Sequence, residues 1–337
     1  MSFLRLSLVS GLFVTLAAGI IPSVAAQKPA YKGAIVVDAL SGKVLFEDNP
    51  DLVNPPASIT KLMTFLIVHD QLSSGALNLQ TEVPVSAASS RIGGTQVWLK
   101  HGESFSVEEM LYALMIQSAN DCAHALASLI GGTPDEFVEM MNARARQLGM
   151  TNTTFRSPHG LPTSNRRIAD GDLTSPRDLS LLSRHLLLHT DVLKYSSIKV
   201  RDFRTDATKG RIVMRNHNHL LERLAGVDGL KTGYTRGAGF CLAATASRNG
   251  RRVIAVSMGS PSGKVRDLKM AELLAKGFAN LPAIDSPLSV APLASPVLSA
   301  NQSPIQMAPP ERNVMQEEDA ALEDDSPPVI IFKIRDL

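Results

Sequence analysis

The chain has 337 residues, of which 44% are hydrophobic and 20% are charged, and its formal net charge is +2. This is an ordinary globular composition, which excludes a chain too polar to bury a core. The length allows two domains without requiring them.

The first 26 residues have the pattern of a cleavable secretory signal. Arg5 gives a short basic start, an apolar run follows, and Val24-Ala25-Ala26 forms a small-residue end. A retained membrane anchor is the alternative, but the apolar run is short for a span. We therefore expect residues 1–26 to be removed and the mature protein to be exported to the periplasm or cell envelope, with no evident membrane attachment.

Residues 282–337 differ in composition from the rest of the chain. They are rich in proline and contain the acidic run EEDAALEDD, which is typical of a disordered tail. Nine acidic and three basic residues give this tail a charge of −6, so residues 27–281 carry +7. A cationic exported domain favours carboxylate-bearing partners, although a solvated surface without any preference explains the same charge.

The predicted elements follow one another from residue 33 to residue 279. The first is a hairpin of two strands, 33–39 and 43–48, with Ser41-Gly42 in its turn. The segment PPASITKLMTFLIVHD follows, and its apolar residues have the spacing of one face of an amphipathic helix. Those residues are Ile59, Leu62, Met63, Leu66 and Ile67.

Helices and then strands complete the order. Apolar periodicity predicts helices at about 107–117, 119–131 and 134–148. A long polar surface loop is expected at 150–175, before a helix capped by Ser175 with Pro176 in its first turn. Three strands and a closing helix come last, at GLKTGYT, GFCLAATAS, RRVIAVSMG and 265–279.

This order predicts one α/β (α+β) domain. Two strands at the start and three at the end favour a five-stranded antiparallel sheet built from both chain ends. The mostly helical insert between them would pack on the sheet. Asn249-Gly250 between the last two strands is a strong hairpin signal.

Ser58 and Lys61 are one helical turn apart at the start of the first predicted helix. Their side chains therefore share a face, beside backbone N–H groups that favour a developing negative charge. A lysine whose pKa is lowered can act as a base for such a serine. A cap and a solvated lysine are the plainer interpretation, since Ser196 and Lys199 repeat the spacing in a strand-like stretch.

Two further patterns are weak when taken singly. Ser118 and Asn120 open the third helix, where they could face a cleft or simply cap the helix together with Asp121. Lys231-Thr232-Gly233 lies on a late strand, where a glycine marks close backbone approach and the cation could hold a carboxylate. A cationic edge strand that blocks aggregation is the alternative.

Together and in this order, Ser-x-x-Lys, Ser-x-Asn and Lys-Thr-Gly are the motif set of penicillin-binding proteins and serine β-lactamases. More narrowly, residues 30–280 resemble the D-alanyl-D-alanine carboxypeptidases, the low-molecular-mass penicillin-binding proteins. The segments ASITKLMT, SANDCAHALA, LGMTNTTFRSPHGL and VDGLKTGYT carry the resemblance.

The resemblance implies an activity and roles for individual residues. The substrates would be peptidoglycan stem peptides ending in D-Ala-D-Ala, and β-lactam antibiotics would bind the same site. Ser58 would form an acyl-enzyme with Lys61 as general base, assisted by Ser118 and Asn120. The terminal carboxylate would be held by Lys231, Thr232 and Arg266, next to Gly233, and the backbone of Ser58 and Tyr234 would form the oxyanion hole.

The resemblance implies neither a cofactor nor a metal, and we expect no nucleic-acid partner. The pair His217-x-His219 has no further ligand nearby.

Relatives often carry a β-rich domain and an anchoring helix, which the tail does not match. The loop after His159-Gly160-Leu161 is rich in arginine, so we expect a different cleft rim. Cys122 and Cys241 are either bridged or free buried thiols.

Three alternatives accompany this interpretation. A class A β-lactamase needs an added glutamate, and the segment 150–175 has no acid before Asp170. A D,D-endopeptidase differs only in the shape of its cleft. A catalytically silent wall-binding module has little need of three intact motifs.

Overall fold

The structure, a computed structural model, describes residues 30–204 and 210–282. The segment interpreted as a signal (1–26) lies outside these ranges, and so does the segment interpreted as a tail (282–337) apart from Pro282. Both interpretations therefore remain predictions.

The described residues form one mixed assembly of strands and helices. The strands are β1 (Gly33–Asp38), β2 (Val44–Asp48), β3 (Glu82–Pro84), β4 (Ser104–Ser106), β5 (Val200–Phe203), β6 (Ile212–Arg215), β7 (Val227–Thr235), β8 (Gly239–Arg248) and β9 (Arg251–Ser260). The α-helices are α1 (Lys61–Ser73), α2 (Val107–Tyr112), α3 (Asn120–Gly131), α4 (Pro134–Gln147), α5 (Pro176–His189), α6 (Val192–Ser196), α7 (Leu220–Arg223) and α8 (Gly263–Asn280).

Five strands form the main sheet in the order β2-β1-β9-β8-β7, and every neighbouring pair is antiparallel. The predicted fold class is confirmed, because the first two strands and the last three make this one sheet. The β8–β9 turn is at Asn249-Gly250, where both residues have positive φ, 51° and 72°. Such turns match the twist of the paired strands, which explains this dipeptide.

Alternating residues of the sheet enter two separate cores. In β1, Ile35 and Val37 belong to the larger core, while Ala34 and Val36 belong to the smaller one. The smaller core is covered by α8 through Met270 and Leu274, among others. This alternation is the two-residue period of a strand that is covered on both faces.

Helix α1 passes through the larger core instead of lying on its surface. The prediction of a single apolar face is wrong, because every residue from Lys61 to Val68 is buried. A helix that is apolar on all sides is stable only when other elements surround it. Here α3, α4 and α5 all contact α1, so a lysine at its first residue is enclosed as well.

The predicted surface loop at 150–175 is only partly exposed. Residues 162–170 are mostly exposed, but both ends of the segment are anchored in the interior. Buried Asp172 accepts hydrogen bonds from the backbone N–H groups of Arg156 and Ser157 and from Thr60 Oγ1. The surface-loop prediction is therefore wrong at the buried positions, and the polar groups of Asp172 are satisfied internally. Those positions are 150, 155, 158, 160, 172, 174 and 175.

The remaining predicted helices are confirmed to within about two residues. Ser175 caps α5 by accepting from the N–H of Asp178, with Pro176 at the first helical position. The predicted helix at 107–117 is α2 followed by a π-helical turn, Ala113–Gln117. The prediction of a strand-like stretch at Ser196 is wrong, because this serine ends the short helix α6.

Candidate active site

Ser58 and Lys61 meet at the beginning of α1. Ser58 lies in a short 3₁₀ turn, Ala57–Thr60, and Lys61 is the first residue of the α-helix. The Ser58 side chain is half-buried, whereas Lys61 is fully buried. The Nζ atom of Lys61 is 3.1 Å from Oγ of Ser58, so the two groups can exchange a proton directly.

Two further acceptors fix the Lys61 amine. Nζ donates to Oδ1 of Asn120 at 2.6 Å and to the backbone oxygen of His159 at 2.7 Å. Burial, and then the positive charge of Lys231, hold the pKa of Lys61 well below its usual value. Asp172 and Asp121 oppose this shift. The net direction favours a neutral amine, which is the form that can act as a base.

Ser118 and Asn120 lie where the π-helical turn meets α3. Ser118 has a left-handed backbone with φ of 63°, and its buried Oγ has no hydrogen-bond partner within the described residues. Asn120 donates from Nδ2 to the Gly93 oxygen at 2.8 Å while its Oδ1 accepts from Lys61. The capping interpretation is wrong, because Ala119 occupies the N-cap and no side chain caps the helix.

Strand β7 runs past Ser58 at very short range. A Cβ added to Gly233 would lie 2.4 Å from the oxygen of Pro56 and 3.1 Å from the Ser58 nitrogen. A Cβ on Gly160 would lie 2.0 Å from the Ala57 oxygen, and its φ of +83° also favours glycine. Both glycines allow backbone to pack directly against the serine turn.

Lys231 lies on β7 and is only 3% exposed. The alternative of a solvated edge-strand cation is therefore wrong for this residue. Its Nζ donates to the Thr232 oxygen at 3.1 Å. Burial, followed by the charge of Arg266, lowers the pKa of Lys231 to about 7. Lys231 is thus a buried cation whose charge is poised near neutral pH and acts on Lys61.

The other predicted site residues lie around this cluster. Thr232 is buried next to Lys231, and Tyr234 is 55% exposed with its ring stacked 4.1 Å from that of Phe240. Arg266 lies in α8, buried, and its guanidinium donates twice to Oδ1 of Asp267, at 2.9 and 2.7 Å. The structure therefore gathers residues from the serine turn, α3, β7 and α8.

Two buried carboxylates at the site were missed as site residues from the sequence. Asp121 accepts from the N–H groups of Val97 and Leu99 and so ties the segment before β4 to α3. Asp172 ties the segment before α5 to Thr60, one residue before Lys61. Burial raises the pKa of both carboxyls, and the hydrogen bonds they accept oppose that shift. Asp172 belongs to no motif of the sequence, and Asp121, which follows Asn120 in SANDCAHALA, has only a helix-capping role indicated by the sequence.

The cysteines are not bridged. Cys122 and Cys241 are both buried free thiols, which resolves the alternative that the sequence left open. No group of three or more metal-ligating side chains occurs in the ranges that the structure describes. Among the helices in those ranges, none combines the length and the apolar character that crossing a membrane requires.

A sheet of five antiparallel strands flanked by helices is shared with solved penicillin-binding proteins. The ampicillin-bound form of penicillin-binding protein D2 from Listeria monocytogenes superposes with a TM-score of 0.65 at 30% identity. The match covers 74% of this chain and 97% of that one. The class of protein predicted from the motifs is thereby confirmed.

The sequence comparison identifies a narrower class of protein than the structural comparison does. The family model described as D-alanyl-D-alanine carboxypeptidase matches residues 22–262. The chain belongs to this family. The carboxypeptidase DacF of Bacillus subtilis (strain 168) is 34% identical over 248 residues, covering 74% of this chain and 62% of DacF. The carboxypeptidase DacC of Escherichia coli (strain K12) is 36% identical over 251 residues, covering 72% and 60%. The chain thus spans about three fifths of these relatives.

Proposed function

We propose that the protein is a serine D-alanyl-D-alanine carboxypeptidase that removes the terminal D-Ala from peptidoglycan stem peptides. The observation that carries the proposal is the contact between Ser58 Oγ and the buried amine of Lys61, 3.1 Å apart. Burial and a neighbouring cation keep this amine neutral enough to accept a proton. The family membership supports the substrate class.

The geometry of Lys61 gives the direction of proton transfer. A neutral lysine has two N–H bonds and one lone pair. The two shorter contacts, to Asn120 Oδ1 and the His159 oxygen, use the N–H bonds. The lone pair is then directed at Ser58 Oγ, at the longer distance of 3.1 Å. Ser58 can therefore transfer its proton to Lys61 as it attacks the peptide carbonyl.

The rest of the reaction follows from the surrounding groups. The oxyanion formed by the attack lies between the backbone N–H groups of Ser58 and Tyr234. Ser118, whose Oγ has no partner within the described residues, relays the proton from Lys61 to the leaving nitrogen. The C–N bond breaks and D-Ala leaves. Water then attacks the ester carbonyl as Lys61 takes its proton. The bond between the acyl carbon and Ser58 Oγ breaks, Lys61 returns the proton to Oγ, and the shortened peptide leaves with a new terminal carboxyl group.

The terminal carboxylate of the substrate binds at the cationic end of the site. Lys231 and Thr232 line this end through their side chains, and Arg266 adds the charge that lowers the pKa of Lys231. An arriving carboxylate favours the protonated form of Lys231, because opposite charges stabilise each other.

A β-lactamase mechanism is less well supported by the same site. The extra carboxylate with the largest electrostatic effect on Lys61 is Asp172, which accepts four hydrogen bonds, two from backbone N–H groups and two from hydroxyls. A carboxylate has about four lone-pair sites. Asp172 therefore has no free site for activating water, and its role is to hold the segment that follows Arg156 against α1.

We also propose the domain organisation and location that the sequence indicates. Residues 1–26 serve as an export signal, residues 27–281 form the enzyme, and residues 282–337 form a tail. The substrate lies in the cell envelope, which agrees with export. β-Lactam antibiotics would acylate Ser58 because they present a strained carbonyl to the same nucleophile.

The test uses labelled penicillin and a short peptide ending in D-Ala-D-Ala. We expect a stable adduct on the peptide containing Ser58, release of D-Ala, and loss of both in Ser58→Ala. Rapid loss of the label as hydrolysed penicillin would favour a β-lactamase. Cleavage of cross-linked but not linear peptides would favour an endopeptidase, and no adduct at all would favour a silent module.

A further inference from the structure

A cavity of about 740 Å³ opens beside the serine–lysine pair. One wall is the segment from Gly160 to Asp172, most of which is exposed, and the other is the turn Thr235–Gly237 after β7. Its volume lies in the range of about 300–1,000 Å³ that is usual for ligand sites. D-Ala-D-Ala alone would leave much of this space empty, so the cavity has room for further residues of the substrate.

Three arginines line this cavity. Arg166 and Arg167 come from the first wall and Arg236 from the second, and all three are exposed. Within the described residues no carboxylate pairs with Arg166 or Arg236, and Arg167 lies 3.8 Å from Asp170. Asp170 in turn accepts a hydrogen bond from Asn165. The rim of the cavity is therefore cationic, and the one carboxylate that pairs with these arginines among the described residues is Asp170, beside Arg167.

The only acid lining the cavity, among the described residues, is Asp172. Its oxygens are occupied by Thr60, Arg156 and Ser157, and burial raises its pKa. It does not offset the three arginines in the way an exposed carboxylate would. An anionic group entering from solvent would meet positive charge on both walls, which raises its local concentration.

The position of the cavity follows the expected path of the substrate. This step rests on the proposed function, which places the terminal carboxylate near Lys231 and the scissile carbonyl near Tyr234. A peptide paired with the free edge of β7 then runs antiparallel to it, with its upstream residues passing Thr235 and Arg236. At about 3.4 Å per residue, the first two residues before D-Ala-D-Ala reach the cavity.

We propose that this cavity is a subsite for a carboxylate carried by the residues immediately before D-Ala-D-Ala, with Arg166, Arg167 and Arg236 as its specificity-determining residues. Guanidinium groups suit this task because they stay charged and bind carboxylates in two-point contacts. Two arginines on one wall and one on the other can converge on a single anionic group.

The test compares two synthetic tripeptides that differ in one charge. Both are Nα-acetyl-L-Lys-D-Ala-D-Ala, with either an acetyl group or a succinyl group on the lysine side-chain nitrogen. Release of D-Ala from the neutral acetyl peptide tests the proposed function. The ratio of kcat/KM for the succinyl peptide to that for the acetyl peptide tests the subsite.

For the wild-type protein we expect a ratio of about ten or more, carried mainly by a lower KM. The ratio should fall toward one in Arg166→Gln/Arg167→Gln/Arg236→Gln, and also in wild type as salt rises from 0.05 to 0.5 M, because exposed charges are screened. The control is Arg248→Gln. This exposed arginine ends β8, about 30 Å from Gly239 by strand rise, and its loss should leave the ratio unchanged.

A wild-type ratio below two, or a ratio that the triple variant retains, would overturn the subsite. Neither result would touch the carboxypeptidase proposal, since the acetyl peptide would still lose D-Ala. If neither peptide were cleaved while penicillin still acylated Ser58, the proposed activity would be wrong. The subsite would then be judged by protection against penicillin, with stronger protection by the succinyl peptide supporting it and equal protection refuting it.

Discussion

The Lys61 amine donates its shortest hydrogen bond, 2.6 Å, to Oδ1 of Asn120, which belongs to a different helix. The same Nζ atom also lies 3.1 Å from Oγ of Ser58. Because Asn120 is uncharged, it orients the amine without favouring its protonated form. An aspartate at this position would have almost the same shape and the opposite electrostatic effect.

Asn120→Asp should therefore slow acylation of Ser58 by penicillin. A carboxylate within hydrogen-bond distance favours the ammonium form and raises the pKa of Lys61, by about one to two units in typical cases. The acidic limb of the pH–rate profile should move upward by that amount, and the rate should fall by up to about 10- to 100-fold at the pH values below this limb, where the amine is protonated.

The matched control is Asn120→Ala, which removes the hydrogen bond without adding a charge. It should also lower the acylation rate, but its acidic limb should not move to higher pH. An Asn120→Asp profile that overlaid the wild-type limb would show that protonation of Lys61 does not control the reaction.

Lys231→Gln tests the electrostatic coupling of the two buried lysines. The charge of Lys231 lowers the pKa of Lys61, so removing it should raise that pKa and shift the acidic limb upward, by roughly one unit. The pKa of Lys231 is itself about 7. Below pH 7 it carries the charge, so the rate loss should be largest there and diminish as the pH rises through 7.

Lys231→Arg keeps the charge and provides the comparison for this variant. Its acidic limb should stay near that of wild type, whatever happens to the binding of the peptide carboxylate. If Lys231→Gln weakened only the KM for peptides and left the limb in place, this lysine would be a substrate ligand and nothing more.

The sequence predicted much of the fold because its signals are local. Alternating apolar residues, the Asn249-Gly250 turn and the Ser175-Pro176 helix start each depend on a few neighbouring residues. The three short motifs were likewise visible from residue types and order. What they could not supply was distance: only the folded chain shows that Asn120 and Lys61, 59 residues apart, share a hydrogen bond.

The features that the sequence did not predict correctly have a common physical cause. Asp172 and Asp121 are ordinary acids in the sequence, and their importance comes from burial against backbone N–H groups that lie 16 and 22 residues away in the chain. Helix α1 looked amphipathic because its stripe of large apolar residues was counted and its other faces were not. Tertiary packing decides both features, and no local pattern encodes it.

The two thiols should be inert in the folded protein. Burial raises the pKa of Cys241 to about 11 and that of Cys122 well above its usual value. Thiolate is the reactive form, so both groups are protonated and shielded at pH 8. We expect no labelling by iodoacetamide in the native state and two labels per chain in denaturant without reductant. No label in denaturant would indicate a bridge between the two cysteines.

Gly160→Ala should damage both stability and acylation. The added Cβ would lie 2.0 Å from the Ala57 oxygen, and φ at this position is +83°. Left-handed strain costs about 1–2 kcal/mol, and the overlap with backbone adds about 1–3 kcal/mol because neither partner can move freely. Relief of the overlap would displace Ala57 and the neighbouring Ser58 nitrogen, which lies 3.1 Å from the same Cβ.

Gly149→Ala separates the cost of left-handed strain from the cost of overlap with neighbouring backbone. Gly149 has nearly the same backbone, with φ of +74°, but nothing lies within 4 Å of an added Cβ. This control should lose only the strain component, about 1 kcal/mol in the free energy of unfolding, and should react with penicillin at the wild-type rate. Denaturant unfolding and the acylation rate measure both effects. The contrary result is an equal loss of stability in the two variants, while Gly160→Ala still reacts with penicillin at the wild-type rate. That result would show that the serine turn tolerates displacement and that close packing at Gly160 does not position Ser58.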